Sequence, residues 1–158
     1  MTSKFTHRRR LLGLSVAALF TPALSFATTP GQTVQVWKDP NCGCCADWVT
    51  HMQDNGFKVQ VFDTGNTAVR KKLGMPQQFG SCHTALIDGY VIEGHVPASD
   101  IKQLLAQRPA ALGLAVPGMP IGTPGMDGEA YKGRQDAYDV LLVQRNEQSR
   151  VFKRYASS

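Results

Sequence analysis

The sequence predicts an α/β fold built outward from one strand–helix–strand unit. Three observations predict it. Thr33 to Lys38 (TVQVWK) alternates polar and apolar residues with the period of a strand, and Lys58 to Phe62 (KVQVF) does so again. Between them Cys45, Val49 and Met52, with Trp48 beside them, recur at helical spacing and line one face. Asp39-Pro40-Asn41 breaks the first strand and Asn55-Gly56 stops the helix, so these are separate elements. A right-handed crossover through the helix makes the two strands parallel.

The later elements follow in order. Thr67 to Leu73 is a short helix closed by Gly74. Thr84 to Ile87 and Tyr90 to His95 are strands flanking Asp88-Gly89, a dipeptide suited to the positive φ angles of a tight hairpin. Pro97-Ala98-Ser99-Asp100 opens a last helix carrying Ile101, Leu104 and Leu105, which Arg108-Pro109 ends. The order βαβ, α, ββα is that of a thioredoxin-like domain over residues 33–108. From Pro109 to Lys132 the composition turns to Gly, Pro and Met, and no regular structure is expected. Tyr138 to Val143 and Arg150 to Tyr155 then alternate like a terminal hairpin, with Gln144 to Ser149 as its turn. Residues 109–158 are thus expected to form a C-terminal extension packing on the same domain.

Residues 1–27 read as an export signal. A basic start (Lys4, Arg8, Arg9, Arg10) precedes an apolar run from Leu11 to Phe20, and Ser25 and Ala27 suit cleavage near Ala27. The arginines ahead of Leu11 suit either twin-arginine export of a folded protein or ordinary export of an unfolded one. The run is too short to span a bilayer and no later stretch approaches that length, so no membrane insertion of the mature chain is expected. Loss of those four cations takes Lys+Arg from 17 to 13 against 12 Asp+Glu, and the net charge from +5 to +1. A mature chain so nearly neutral, with no cationic stripe, is not a nucleic-acid binder. Nothing suggests an obligate dimer, and a monomer is expected.

Three of the four cysteines crowd together at Cys42, Cys44 and Cys45, and Cys82 stands apart. Export exposes them to an oxidising compartment, where an even count defaults to disulfides. Every pairing of all four is awkward. One needs a bond between adjacent Cys44 and Cys45, whose Cα atoms lie about 3.8 Å apart against a usual span of about 4.4–6.8 Å. The other two need a tiny ring plus a bond to Cys82, and close little loop entropy. A purely structural disulfide role is therefore not expected.

Cys42 and Cys45 form a C-x-x-C pair between a strand and a helix, the spacing of a redox site, and Cys42 and Cys44 form an overlapping C-x-C pair. Unpaired N–H groups and the positive dipole end of the helix favour thiolate there. Thiolate is both the nucleophile of disulfide exchange and a ligand for soft metals. In a thioredoxin-like fold the Ser81-Cys82-His83-Thr84 loop packs against this turn, which would bring the four sulfurs together. Adjacent cysteines crowd a single tetrahedral zinc, whereas bridging sulfurs suit a small Cu(I) cluster.

Copper(I) also takes thioether and imidazole, which makes Met119, Met126 and His95 candidate ligands. His95 ends the fourth strand on the edge facing the cysteine turn. His83 follows Cys82, and strand alternation directs it to the opposite face. His51 lies six residues beyond Cys45 on the helix, about 9 Å along it, too far to share an ion.

Trp37-Lys38-Asp39-Pro40-Asn41-Cys42-Gly43-Cys44-Cys45, Ser81-Cys82-His83-Thr84-Ala85 and Gly94-His95-Val96-Pro97-Ala98 closely resemble the CopG-like family of exported bacterial copper-resistance proteins. Gly113 to Pro120 (GLAVPGMP) and Pro124-Gly125-Met126 match as well, so the resemblance runs from about Val34 to Leu142. It implies a thioredoxin-like domain with a C-terminal extension, a multinuclear copper cluster bridged by cysteine sulfurs, and conversion of copper between Cu(I) and Cu(II). Carried onto this sequence, the bridging thiolates are Cys42, Cys44, Cys45 and Cys82, with Met119 and Met126 reaching in from the extension.

The expected function is that of a periplasmic copper-binding protein holding copper in a thiolate cluster and interconverting its oxidation states in copper resistance. Cys42 and Cys45 are its redox pair, and a periplasmic copper efflux system is a candidate partner. Two alternatives stand beside it: a metal-free thiol-disulfide oxidoreductase in which Cys42 attacks and Cys45 resolves, and a copper chaperone or store without turnover.

Overall fold

Alternation along Thr33–Lys38 becomes strand β1, with Val34 and Val36 wholly buried. The structure, a computed structural model, describes residues 32–157, so the export signal lies outside the described residues. The chain continues through α1 (Gly43–Asp54), β2 (Lys58–Phe62), α2 (Thr67–Leu73), β3 (His83–Ile87), β4 (Tyr90–Glu93) and α3 (Ala98–Gln107). Strands β5 (Gly113–Ala115), β6 (Tyr138–Val143) and β7 (Ser149–Tyr155) complete it. All seven strands join one sheet in the order β2-β1-β3-β4-β5-β6-β7. β1 and β2 are parallel, and β3 and β4 are antiparallel across a turn in which Asp88 and Gly89 both take positive φ, as the dipeptide predicts. The core of the chain is thus a thioredoxin-like α/β arrangement.

Two expectations about elements are corrected. α1 starts at Gly43, two residues before the apolar repeat shows it. The Asp39 carboxylate accepts from the Asn41 N–H at 2.9 Å and its carbonyl from the Cys42 N–H at 3.1 Å, which sets Cys42 as the N-cap. Apolar periodicity cannot register a first turn made of small and polar residues.

The segment from Pro109 to Lys132 was expected to be irregular, but it contains β5, parallel to β4, and a short 3-10 turn at Glu129–Tyr131. A three-residue strand is too short to display a period. Its Gly113 passes so close to β4 that a Cβ there would lie 1.7 Å from the Val91 carbonyl oxygen. Through β5 the extension continues the sheet of the preceding strands.

Both faces of the sheet are covered. Trp48 and Met52 of α1 and Ile101 and Leu104 of α3 pack with Val34, Val36, Ile92, Leu114 and Leu142 on one face. Met75 and Phe79 pack with Val91, Leu112, Ala115 and Val143 on the other. Asp100 of α3 accepts from Tyr155 Oη at 2.9 Å and pairs with Lys153 Nζ at 3.2 Å, which fastens β7 to that helix. Pairing of Lys38 with His83 and of Thr84 with Glu93 brings the end of β1, the start of β3 and the end of β4 to one edge. The functional residues collect there.

Candidate metal centre

Cys42 caps α1 with its backbone, makes no side-chain capping bond, and no acid occupies the first turn. The positive end of the helix is left to the sulfurs that sit on it. Cys42 and Cys45, one turn apart, form a disulfide with Cα atoms 5.3 Å apart, and Cys44 and Cys82 are free. A C-x-x-C disulfide that leaves the other two sulfurs unpaired is a partial framework, which the four-cysteine pairings did not cover. Cys45 is wholly buried, whereas Cys42, Cys44 and Cys82 are half-buried. Cys44 Sγ is 3.6 Å from Cys42 Sγ, and Cys45 Sγ is 3.7 Å from the Cys82 carbonyl oxygen. All four sulfurs lie within 4.8 Å of one another.

Burial, and next the neighbouring Cys44, push the Cys82 thiol up to about 12, so at neutral pH it keeps its proton. A soft cation in place of that proton removes the penalty of an unpaired buried charge.

Two imidazoles adjoin the sulfurs. His95 Nε2 lies 3.0 Å from Cys82 Sγ, and its Nδ1 lies 2.8 Å from the Pro124 carbonyl oxygen. A carbonyl only accepts, so this contact puts the proton on Nδ1 and leaves the Nε2 lone pair facing the sulfur. His83 is not on the far face, as strand alternation led one to expect. Its Nδ1 lies 3.4 Å from Cys82 Sγ. Cys82 precedes β3 in a bend, so the alternation that governs the strand does not extend to it. The His83 ring meets His95 edge-on at 5.0 Å and tilts over Trp48 at 4.4 Å between centroids. Burial above all lowers both histidine pKa values, so both rings are neutral, the form that binds metals. His51 serves the fold: its Nε2 accepts from the Ala98 N–H at 3.1 Å, at the start of α3.

A polar network holds the Cys82 loop. Glu93, wholly buried, accepts from the Ser81 N–H at 2.8 Å and from Thr84 Oγ1 at 2.6 Å, and pairs with Arg70 at 3.4 Å. Asn66 Nδ2 donates to the Ser81 carbonyl at 3.1 Å, and Ser81 Oγ donates to the Gly118 carbonyl. That last bond ties the extension to the site just before Met119. Met119 is 52% exposed and lines, with Cys82, Ser81, Asn66 and Arg70, a cleft of about 440 Å³. A larger cleft at Asp88, Arg108 and Arg145 shares no residue with the sulfurs. Met126 follows Gly125, whose Cα rests against the Cys44 carbonyl, and its Sδ accepts from Tyr131 Oη at 3.2 Å.

The structure therefore gathers Cys42, Cys44, Cys45, Cys82 and His95, adds His83, and pins the loops that carry Met119 and Met126 beside them. Sulfur and imidazole groups meet at this edge, and the buried Glu93 carboxylate is engaged by Ser81 and Thr84. Such a set fits copper in its lower oxidation state. No helix among the described residues is long and apolar enough to cross a membrane.

Known proteins agree with this reading of the fold. Residues 79–126 match the family described as a protein of unknown function, DUF411. No curated protein matches the chain. A solved structure described as copper resistance protein CopG, form 1, is 46% identical, covers 81% of this chain and 99% of its own, and superposes with a TM-score of 0.74. Form 2 is 47% identical over 79% of this chain and 98% of its own, with a TM-score of 0.73. Identity at that level, over nearly the whole of those structures, means that the chain belongs to the CopG family of copper resistance proteins.

Proposed function

We propose that this protein is a periplasmic copper oxidoreductase that binds copper through Cys42, Cys44, Cys45, Cys82, His95, Met119 and Met126 and converts it between Cu(II) and Cu(I). The observation that carries the reading is a C-x-x-C pair able to close a disulfide within 4.8 Å of two further sulfurs. In the reducing direction the Cys42 and Cys45 thiols each give one electron to one Cu(II). One S–S bond forms, two protons leave, and two Cu(I) remain among the sulfurs, which suit a multinuclear, sulfur-bridged arrangement. The reverse step opens the disulfide with two electrons from two Cu(I) and takes up two protons. When copper is only reduced, a thiol donor of the same compartment must restore the dithiol, and Cys42 is the half-buried sulfur that it can reach. The two similar structures, described as copper resistance proteins, support copper as the substrate and its detoxification as the purpose. Export by the segment 1–27 and delivery to a copper efflux system complete the reading.

The test mixes fully reduced mature protein with Cu(II) without oxygen, then counts Cu(I) with a chromogenic chelator and free thiols in parallel. Two Cu(I) for each pair of thiols lost, abolished by Cys45→Ser, is the expected result. Copper bound with no thiol lost makes the protein a chaperone or store. Little copper retained, with reduction of insulin that survives Cys82→Ser, makes it a metal-free disulfide oxidoreductase.

A further inference from the structure

We infer that the cleft beside Cys82 is a docking site for a small thiol that carries a carboxylate, and that this ligand reopens the Cys42–Cys45 disulfide. The inference rests on the proposed copper chemistry, which leaves that disulfide closed after each round of reduction, and it names the class of thiol that restores the pair. The cleft measures about 440 Å³, and a second of about 380 Å³ adjoins it, with Thr67, Arg70 and Gln77 as shared walls. Each has the size of a small-molecule site. Cys82 and Met119 line the first cleft, and the second runs on to Lys71 and Glu147.

Arg70 carries the argument for a carboxylate. It belongs to α2, is 6% exposed, and among the described residues is the one charged side chain that lines the cleft beside Cys82. Its Nη1 meets the buried Glu93 at 3.4 Å, and no other protein acceptor bonds the guanidinium among the described residues. A guanidinium with most of its five N–H donors unspent suits a carboxylate, which takes two of them in parallel. Gly80 makes room for it: a Cβ there would strike Arg70 Nη1, while the φ of −61° is open to any residue, so glycine serves clearance and not backbone freedom. The rim is polar as well, because Thr67 and Gln77 are exposed and their side chains make no hydrogen bond among the described residues. The Gly118 N–H donates to the Gly80 carbonyl at 3.2 Å, which closes the cleft on the side of the extension.

Cys82 places the cleft against the reacting pair. Its Sγ lies within 4.8 Å of those of Cys42 and Cys45, and Cys42 is half-buried where Cys45 is wholly buried. A thiolate docked by its carboxylate attacks Cys42 Sγ, the Cys42–Cys45 bond breaks, and Cys45 leaves as a thiolate that takes up a proton. A second thiolate of the same kind then attacks the ligand sulfur of the mixed disulfide, and Cys42 leaves and is protonated in turn. Two ligand thiols become one ligand disulfide, and their two electrons and two protons end on Cys42 and Cys45.

The experiment takes metal-free mature protein in its disulfide form and reduces it with 3-mercaptopropionate, 2-mercaptoethanol or cysteamine, thiols alike in size that carry a negative, no and a positive charge. Samples are quenched with acid, alkylated and weighed by mass spectrometry, where the labelled cysteines rise from two to four per chain. Each rate is taken per thiolate and divided by the rate of the same thiol on an uncharged model disulfide. The expected result is a preference of about tenfold for 3-mercaptopropionate over 2-mercaptoethanol, the worth of a charge-assisted hydrogen bond, with cysteamine slowest. Arg70→Met should abolish the preference. Equal normalised rates in the unmodified protein, or a preference that survives Arg70→Met, overturn the docking site. Should Arg70→Met not fold, Gln77→Glu decides, since that wall position is exposed. A fall in preference of about threefold from the added negative charge supports the site, and an unchanged preference overturns it. Copper takes no part in these rates, so failure of the oxidoreductase reading shows separately, as Cu(II) that the reduced protein never reduces.

Discussion

Replacing Gly125 by alanine is expected to damage the copper site through a contact that involves no ligand atom. Gly125 has φ +86°, and a Cβ there would lie 2.5 Å from the Cys44 carbonyl oxygen and 2.8 Å from the Trp48 backbone nitrogen. Both atoms belong to the backbone of α1 and cannot give way, so the loop must retreat by about 1 Å to reach ordinary contact. The positive φ costs alanine about 1 kcal/mol. The retreat also draws the Pro124 carbonyl from His95 Nδ1, now 2.8 Å away, and ends a hydrogen bond worth about 1 kcal/mol. Together these give about 2–3 kcal/mol, or a fall in Tm of about 7–10 °C for a domain of this size.

Gly133→Ala is the control. It has a similar φ of +72° with nothing within 4 Å of the added atom, and should cost the backbone term alone, about 4 °C. Thermal unfolding followed by circular dichroism compares the two, and competition with a Cu(I) chelator measures affinity. Gly125→Ala should lose about tenfold or more in affinity as His95 loses its orienting partner, and Gly133→Ala should lose none. Equal Tm shifts in the two variants, or undiminished copper affinity in Gly125→Ala, would refute the reasoning.

Cys44→Ser leaves the Cys42–Cys45 pair intact and should lower the copper content per chain, measured by metal analysis after desalting; unchanged content would remove Cys44 from the site. Loss of both thioethers in Met119→Ala with Met126→Ala should weaken Cu(I) binding more than it lowers Tm, because Met119 is 52% exposed; equal affinity would make them packing residues. Glu93 is raised by burial to about 7 from the 4.5 of a free glutamate, against the pull of Thr84, Ser81 and Arg70. The unfolded chain releases that proton first, so the metal-free protein should lose stability as pH rises from 4.5 to 7, by no more than about 3 kcal/mol. Glu93→Gln should flatten that slope in denaturant titrations across the window, and a slope that persists would assign it to other groups.

Much of this was legible in the sequence, for reasons particular residues make plain. The alternation of TVQVWK and KVQVF and the Asp88-Gly89 turn report local preferences that the sheet simply uses. The crowding of Cys42, Cys44 and Cys45 needs no folding to be seen. Cys82 could be brought to them only through knowledge of which strands pair. His83 escaped because its neighbour Cys82 sits in a bend, where a rule of alternation has no purchase. β5 escaped because it is held by its neighbours β4 and β6, and an element of three residues carries little signal of its own. The contacts of Gly125 and Pro124 depend on the path of an irregular loop, which local sequence preference does not determine.

That path has a bearing on when the site comes into being. The contact of Gly125 with Cys44 and that of Pro124 with His95 join parts of the chain far apart in sequence. Each requires closure of a long loop, which local contacts do not reward in advance. A nascent chain that has reached only the end of α3 has all of its thiols but neither the orienting carbonyl nor the loop bearing Met126. Its sulfurs can be oxidised or scavenge stray ions, but the outer shell that orients His95 is missing. Orientation of His95 by the Pro124 carbonyl is thus a late event in folding, and the last third of the chain acts as the timer.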